Sequence, residues 1–182
     1  MSVEPVRIAV ALPAGDTEVS GLWSAAPAAA ATVAFAHGAG AGMEHPFLTG
    51  LADALAASGI SVLRFVFPYV EAGRRMPGPA PHAMATWAGV EAWLASAAPG
   101  RYAAVGKSYG GRMASMASAE GENDPFIAPR AQFDEVVASC QDARVHWIAG
   151  GNHSFEVKGA RRPADEIGAA LAPVIAEFAR SL

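Results

Sequence analysis

Short apolar runs alternate along the chain with longer segments in which apolar residues recur every three or four positions. The short runs predict buried strands, and the longer segments predict helices with one apolar face. The predicted strands are Val6–Leu12, Val19–Ser24, Thr32–Ala36, Ile60–Phe67, Tyr102–Val105 and Arg144–Ala149. The predicted helices are Phe47–Ser58, Met84–Ala98, Gly111–Ala117, Gln132–Cys140 and Ala164–Ser181. This alternation predicts a single α/β domain over residues 1–182, with a mostly parallel sheet covered by helices on both faces.

Composition and charge narrow the class of protein. The 182 residues suffice for one domain with a sizeable core, and the net charge of −4 gives no reason to expect nucleic-acid binding. The single cysteine, Cys140, excludes an intrachain disulfide and favours a reducing compartment. The N-terminus lacks a signal-peptide layout, and the alanine-rich run at residues 25–36 is too weakly apolar to span a bilayer. We therefore expect a cytoplasmic protein that does not bind membranes.

The most informative segment for function is Gly106–Gly110, which has the pattern G-x-S-x-G. It lies between a predicted strand and a predicted helix, which is the setting of a nucleophile elbow with an exposed serine hydroxyl. Its glycines let the strand and helix backbones approach where a Cβ atom would clash. The helix N-terminus also directs N–H groups towards an oxyanion formed beside the serine. This context favours a nucleophilic Ser108 over a purely structural turn.

A serine becomes a good nucleophile only when a base removes its proton. The candidate base is His153, which follows the last predicted strand, and the alternative is an ordinary loop histidine near the surface. A carboxylate between the two residues should complete the site, and Asp124 is the first choice. The alternative for Asp124 is a solvated turn residue, because Asn-Asp-Pro is a good turn sequence. The other carboxylates considered for this role are Glu122, Asp134, Glu135 and Asp142.

Two backbone N–H groups are expected to form an oxyanion hole. One is the N–H of Tyr109, directly after the nucleophile. The other should come from the glycine-rich segment 37–42, at Ala39 or at Gly40. His37 at the start of this segment is expected to be a buried structural hydrogen-bonding residue rather than an acid or a base.

Two arginines, Arg74 and Arg75, follow the strand predicted to end at Phe67 and are therefore expected near the mouth of the site. They are weak candidates for binding an anionic group of a substrate. A solvated or loop-pinning pair is the commoner role of such arginines. No histidine stands in a metal-like grouping with Asp, Glu or Cys, so we predict no metal site and no cofactor.

Four segments of the chain resemble the α/β-hydrolase superfamily, in particular its small, cap-less, dienelactone-hydrolase-like group of predicted bacterial hydrolases. These segments are residues 37–47, 64–69 with 71–75, 106–115, and 121–126 with 152–155. The resemblance implies an α/β-hydrolase fold and a serine hydrolase that cleaves small esters, thioesters or lactones through an acyl-enzyme on Ser108. It also implies that His153 is the base and Asp124 the acid. It does not identify the substrate, because this fold hosts many hydrolytic activities.

The chain departs from the superfamily pattern between Ser108 and Asp124, which are only 16 residues apart. The superfamily places two strands and a helix between the elbow helix and the acid, so the fold is expected to be shortened here. An elbow helix of about 11 residues would descend about 16 Å from the catalytic edge. Residues 120–124, a poor strand sequence, would climb at most about 17 Å. Asp124 therefore reaches His153 only if the helix is short or the climb is nearly straight.

The short spacing leaves a second class of function open. A hydrolase-fold protein with impaired catalysis would act as a ligand-binding or protein-binding module. The intact Ser108, His153 and glycine-rich segment argue against this alternative. Loss of central strands would also leave an unpaired sheet edge, which favours a homodimer.

Overall fold

The computed structural model describes residues 2–110, 117–125, 129–139 and 144–182. Five strands form one sheet in the order β1-β2-β4-β3-β5. They are β1 (Val3–Leu12), β2 (Gly15–Ser24), β3 (Ala31–Ala36), β4 (Ile60–Phe65) and β5 (Tyr102–Gly106). The hairpin β1–β2 joins β4 in antiparallel pairing, whereas β3 pairs in parallel with both β4 and β5. A separate parallel pair consists of β6 (Ala117–Gly121) and β7 (Arg144–Ile148).

The helices of the described ranges are α1 (Pro46–Ala57), α2 (Pro68–Glu71), α3 (Ala80–Ala97), α4 (Arg130–Ser139) and α5 (Ala164–Ser181). Successive side chains of a strand point to opposite faces of the sheet, so each central strand contributes to two cores. Val33 and Val62 pack with α1 and α5 on one face. Ala34 and Leu63 pack with α3 on the other face. None of these helices combines the length and the apolar character needed to cross a bilayer.

The predicted strands and helices are mostly confirmed, with shifts of a few residues at their ends. Residues 111–116 of the predicted elbow helix Gly111–Ala117 lie outside the described residues, as does Cys140 at the end of another predicted helix. The prediction that Ala117 belongs to the elbow helix is wrong, because residues Ala117–Gly121 form β6. Their pairing with β7, a distant part of the chain, overrides the helix propensity of an alanine-rich segment.

Glu71, at the end of α2, joins the segment after β4 to the hairpin. Its Oε1 accepts a hydrogen bond from Arg7 Nη1 at 2.6 Å, and its Oε2 accepts one from the Ser20 backbone N–H at 2.9 Å. Partial burial by itself would raise the pKa of Glu71. The hydrogen bonds from Arg7 and Ser20 outweigh this effect and lower the pKa of Glu71 below its ordinary value. The carboxylate therefore stabilises the fold in its ionised form.

The substitution Glu71→Gln should lower the free energy of unfolding at neutral pH by about 1 kcal/mol. Because the folded-state pKa is lowered, this contribution is present above the unfolded pKa of glutamate, about 4.3, and is lost as the pH falls through the folded value. Urea unfolding of parent and variant from neutral to acidic pH measures the difference. The exposed Glu4 provides a matched control, Glu4→Gln. A difference independent of pH, or equal to that of the control, would contradict the role given to Glu71.

Candidate active site

The turn at Ser108 has the backbone geometry of a nucleophile elbow. β5 ends at Gly106, and the helical conformation begins at Tyr109. Ser108 itself has a φ of 52°, in the left-handed region that non-glycine residues rarely adopt. The Lys107 N–H donates to the Ala36 carbonyl at 3.1 Å and fixes the turn against the end of β3. The strained turn leaves Ser108 exposed at the carboxyl end of β5.

Gly110 allows this turn to lie against the neighbouring strand. A Cβ atom at this position would lie 2.7 Å from the carbonyl oxygens of both Ala36 and His37. Backbone atoms cannot move aside as a flexible side chain can, so only glycine fits here without a shift of β3 or of the elbow. The glycine at the end of the G-x-S-x-G pattern therefore permits the close backbone approach that the pattern predicts.

The three side chains that the sequence analysis singled out lie in one hydrogen-bonded series. Ser108 Oγ lies 3.1 Å from His153 Nε2, and His153 Nδ1 lies 2.7 Å from Asp124 Oδ2. A carboxylate can only accept, so Nδ1–H donates to Asp124 and Nε2 is left to accept from the serine hydroxyl. The Asp124 side chain is only 4% exposed, whereas that of His153 is 36% exposed. The arrangement can move a proton from Ser108 to His153 beside a buried carboxylate.

The pairing of β6 with β7 accounts for the position of Asp124. These strands run in parallel from Ala117↔Arg144 to Gly121↔Ile148, so their carboxyl ends meet at the same edge. Asp124 follows three residues after β6, and His153 follows five residues after β7. The chain therefore returns to the edge of the sheet that carries His153 along a strand that begins at Ala117, despite the composition of this strand.

The other carboxylates considered for the acid have different surroundings. Glu122 accepts the backbone N–H of Gly150 at 3.0 Å. Asp134 forms an ion pair with Arg130 on α4 at 3.1 Å, and Glu135 is exposed on the same helix. Asp142 lies outside the described residues. Of the described carboxylates between Ser108 and His153, Asp124 is the one hydrogen-bonded to the histidine.

The glycine-rich loop after β3 lies beside the nucleophile. A Cβ atom at the buried Gly38 would lie 3.6 Å from the Ser108 Cβ atom, which shows how closely the two segments approach. Ala39 and Gly40 are exposed, and Gly40 has a φ of 71°. Ala39 or Gly40 stays the predicted source of one oxyanion donor, and Tyr109 N–H stays the predicted second donor.

His37 holds the glycine-rich loop against the end of β4, as its predicted structural role requires. It is fully buried, its Nδ1–H donates to the Gly38 carbonyl at 2.8 Å, and its Nε2 accepts the Phe67 N–H at 3.3 Å. This pattern fixes the neutral tautomer that carries its proton on Nδ1. Burial lowers the pKa of His37, although the hydrogen bond to Gly38 acts in the opposite direction.

Lys107, directly before the nucleophile, connects the elbow to the loop that carries His153. Its ammonium group lies 4.5 Å from the ring centroid of Phe47 and 5.9 Å from that of Phe155. The two rings are stacked, with centroids 5.7 Å apart and an interplanar angle of 25°. Burial lowers the pKa of Lys107, and Glu156 partly offsets this effect. This contact is not predictable from local sequence patterns, because residues 47, 107 and 155 are far apart in the chain.

The remaining predictions about the site concern Arg74, Arg75 and metal binding. Both arginines are exposed in the segment after α2, and their side chains make no hydrogen bond or ion pair with another described residue. Their proposed contact with a substrate stays a prediction. In the described parts of the chain, no three His, Cys, Asp or Glu residues are grouped closely enough to hold a metal ion.

Comparison with known proteins identifies the family. A family model described as an alpha/beta hydrolase domain matches residues 29–122, which is just over half of the chain. The chain therefore belongs to the α/β-hydrolase family. A search of curated proteins found no match.

Solved structures show the same fold at low sequence identity. An α/β serine hydrolase without a lid from Xanthomonas campestris is 16% identical, with a TM-score of 0.71 and coverage of 98% of this chain and 97% of that chain. A dienelactone hydrolase from Anabaena variabilis is also 16% identical, with a TM-score of 0.66 and the same coverage. The esterase domain of a Rhodothermus marinus protein is 12% identical, with a TM-score of 0.73 and coverage of 100% and 99%.

The substitution Gly110→Ala should destabilise the fold and abolish proper formation of the elbow. The added methyl group meets two backbone oxygens at 2.7 Å, so we expect a loss of about 2 kcal/mol or more in the free energy of unfolding. Thermal and urea unfolding measure it. Gly78→Ala is the matched control, because its Cβ atom would make only an ordinary contact of 3.5 Å with His82. Equal stability of the two variants would show that the elbow is not packed as described.

Proposed function

We propose that the protein is a serine hydrolase that cleaves small carboxylic esters through an acyl-enzyme on Ser108. The observation that carries the proposal is the series of hydrogen bonds from Ser108 to His153 at 3.1 Å and from His153 to Asp124 at 2.7 Å. The elbow conformation of an exposed Ser108 supports it. Thioesters and lactones present the same reacting carbonyl and are included in the proposed substrate class.

In the first half-reaction, Ser108 Oγ attacks the carbonyl carbon of the ester while its proton passes to His153 Nε2. Asp124 accepts the Nδ1–H bond, keeps the imidazole in the right tautomer and stabilises the imidazolium. The oxyanion of the tetrahedral intermediate is stabilised by the N–H groups of Tyr109 and of Ala39 or Gly40. The intermediate collapses to the acyl-enzyme, and the leaving alcohol takes the proton from His153.

In the second half-reaction, water replaces the alcohol. His153 removes a proton from the water as its oxygen attacks the acyl carbon, and the same oxyanion donors stabilise the second tetrahedral intermediate. Collapse breaks the bond to Ser108 Oγ, which regains its proton from His153, and a carboxylic acid leaves. This cycle needs neither a metal ion nor a cofactor.

Two observations support small substrates. Ser108 is exposed at the surface, and one of the solved structures with this fold is described as a serine hydrolase without a lid. The structural neighbours also include a dienelactone hydrolase and an esterase domain. Arg74 and Arg75 are proposed as a weak secondary site for an anionic substituent of the substrate.

The substitution Ser108→Ala should reduce turnover of a short-chain nitrophenyl ester by about a thousandfold or more, because the nucleophile is lost. Initial rates at saturating ester, compared between parent and variant preparations of equal folded content, measure the effect. Ser96→Ala is a control that removes an exposed serine of α3. Equal turnover by parent and Ser108→Ala would refute the proposal, and an inactive parent would favour the alternative of a binding module.

The substitution Asp124→Asn should lower kcat by roughly 10²–10⁴-fold while leaving some reaction with a fluorophosphonate probe. The amide cannot stabilise the imidazolium as a carboxylate does, but the nucleophile and oxyanion donors remain. Steady-state kinetics and the rate of probe labelling measure the two effects. Asp134→Asn on α4 is the matched control. An unchanged kcat in Asp124→Asn would mean that this carboxylate is not the acid.

A further inference from the structure

The loop that carries Asp124 is tied to the loop that carries His153 by hydrogen bonds. We refer to residues 122–124 as the acid loop and to residues 149–156 as the histidine loop. Two of the bonds join backbone atoms and continue the pairing of β6 with β7. Glu122 N–H donates to the Ile148 carbonyl at 3.2 Å, and Asn123 N–H donates to the Gly151 carbonyl at 2.8 Å.

Two further bonds use side chains of the acid loop, and both end on Gly150. The Gly150 N–H donates to Glu122 Oε2 at 3.0 Å, and Asn123 Nδ2 donates to the Gly150 carbonyl at 3.2 Å. Both the N–H and the carbonyl of Gly150 are therefore hydrogen-bonded to side chains of the acid loop. Gly150 has a φ of 68°, so the histidine loop turns sharply where the two side chains hold it.

Hydrogen bonds inside the histidine loop link the position of His153 to that of Gly150. Asn152 Oδ1 accepts the N–H groups of Ser154 at 2.8 Å and Glu156 at 3.0 Å. Asn152 N–H donates to the Glu156 carbonyl at 3.0 Å. These bonds on both sides of His153 make residues 152–156 a unit, and a displacement at Gly150 therefore shifts the imidazole relative to Asp124.

The two parts of the proposed site lie on different sheets. In the described residues, β6 pairs with β7 alone, and neither strand is hydrogen-bonded to the five-stranded sheet that carries Ser108. The acid and the base therefore belong to one structural unit and the nucleophile to another. Inside the unit of the acid and the base, Glu122 and Asn123 supply both side-chain bonds to Gly150.

We propose that Glu122 and Asn123 are positioning residues, which act on the proposed reaction by holding His153 in line with Asp124. The proposal rests on the proposed function of Ser108, His153 and Asp124. Glu122 acts as a hydrogen-bond acceptor for the Gly150 N–H. A small misplacement of a general base lowers the rate of the chemical step more than it weakens substrate binding.

The test compares Glu122→Ala, which removes the acceptor, with Glu122→Gln, which keeps an acceptor oxygen on a side chain of similar size. We expect Glu122→Ala to lower kcat about tenfold, which is about 1.4 kcal/mol of activation free energy, with KM within about twofold. Glu122→Gln should stay within about twofold of the parent, since its amide oxygen still accepts from Gly150. Asn123→Asp, which lacks the Nδ2 donor, should also lower kcat. Glu135→Ala on α4 is the control for loss of an exposed glutamate.

A second readout does not depend on turnover. The His153 Nδ1–H proton bound to Asp124 should give a strongly downfield ¹H NMR resonance in the resting protein, assigned by its loss in Asp124→Asn. We expect this resonance to be weakened or shifted upfield in Glu122→Ala and retained in Glu122→Gln. An unchanged resonance in Glu122→Ala would overturn the proposal, even in a parent without esterase activity, whose inactivity would refute the proposed function alone. Equal loss of the resonance in both Glu122 variants would also overturn it, because an acceptor oxygen would then not be what matters.

Discussion

The parallel pairing of β6 with β7 is the interaction on which the geometry of the site depends. It aligns Gly121 with Ile148, so that the acid loop and the histidine loop leave the sheet side by side. The backbone bonds from Glu122 and Asn123 extend this alignment beyond the strands. A chain in which Ser108 and Asp124 are only 16 residues apart has no room for the two strands and the helix expected from other members of the superfamily. A single strand that begins at Ala117 brings the chain back to the edge of the sheet where Asp124 lies.

The second constraint is the contact between this pair of strands and the part of the molecule that carries Ser108. The elbow is held by close packing, because Gly110 leaves no space between itself and the carbonyl oxygens at the end of β3. Phe155 of the histidine loop stacks on Phe47, and the Lys107 ammonium group forms cation–π contacts with both rings. Cation–π contacts contribute about 0.5–2 kcal/mol each, depending on how far the cation is desolvated. Phe155 adopts a φ of 62° in this contact, which is unfavourable for an aromatic residue and needs support from its surroundings.

The parts of the molecule that sequence reasoning predicted are those that local chemistry determines. The elbow follows from the G-x-S-x-G pattern between a strand and a helix, and helices such as Ala164–Ser181 follow from apolar periodicity. β6 was missed because alanine and glutamate favour a helix, and only pairing with a segment more than twenty residues away makes Ala117–Gly121 a strand. Glu122 was considered as an acid because it is a carboxylate between Ser108 and His153. Its contact with Gly150 depends on the pairing of β6 with β7 and was therefore not predicted. The contact of Lys107 with Phe47 and Phe155 likewise depends on the tertiary fold.

The central claim is that Ser108 is the activated nucleophile of a serine hydrolase. The most direct measurement is to treat the folded protein with a fluorophosphonate and to locate the adduct by mass spectrometry of its peptides. The account predicts one phosphonyl group per chain, attached to Ser108, and no labelling after urea unfolding, because activation requires His153 to lie beside the serine. An unlabelled protein, an adduct on another residue, or equal labelling of the folded and unfolded chain would contradict the account.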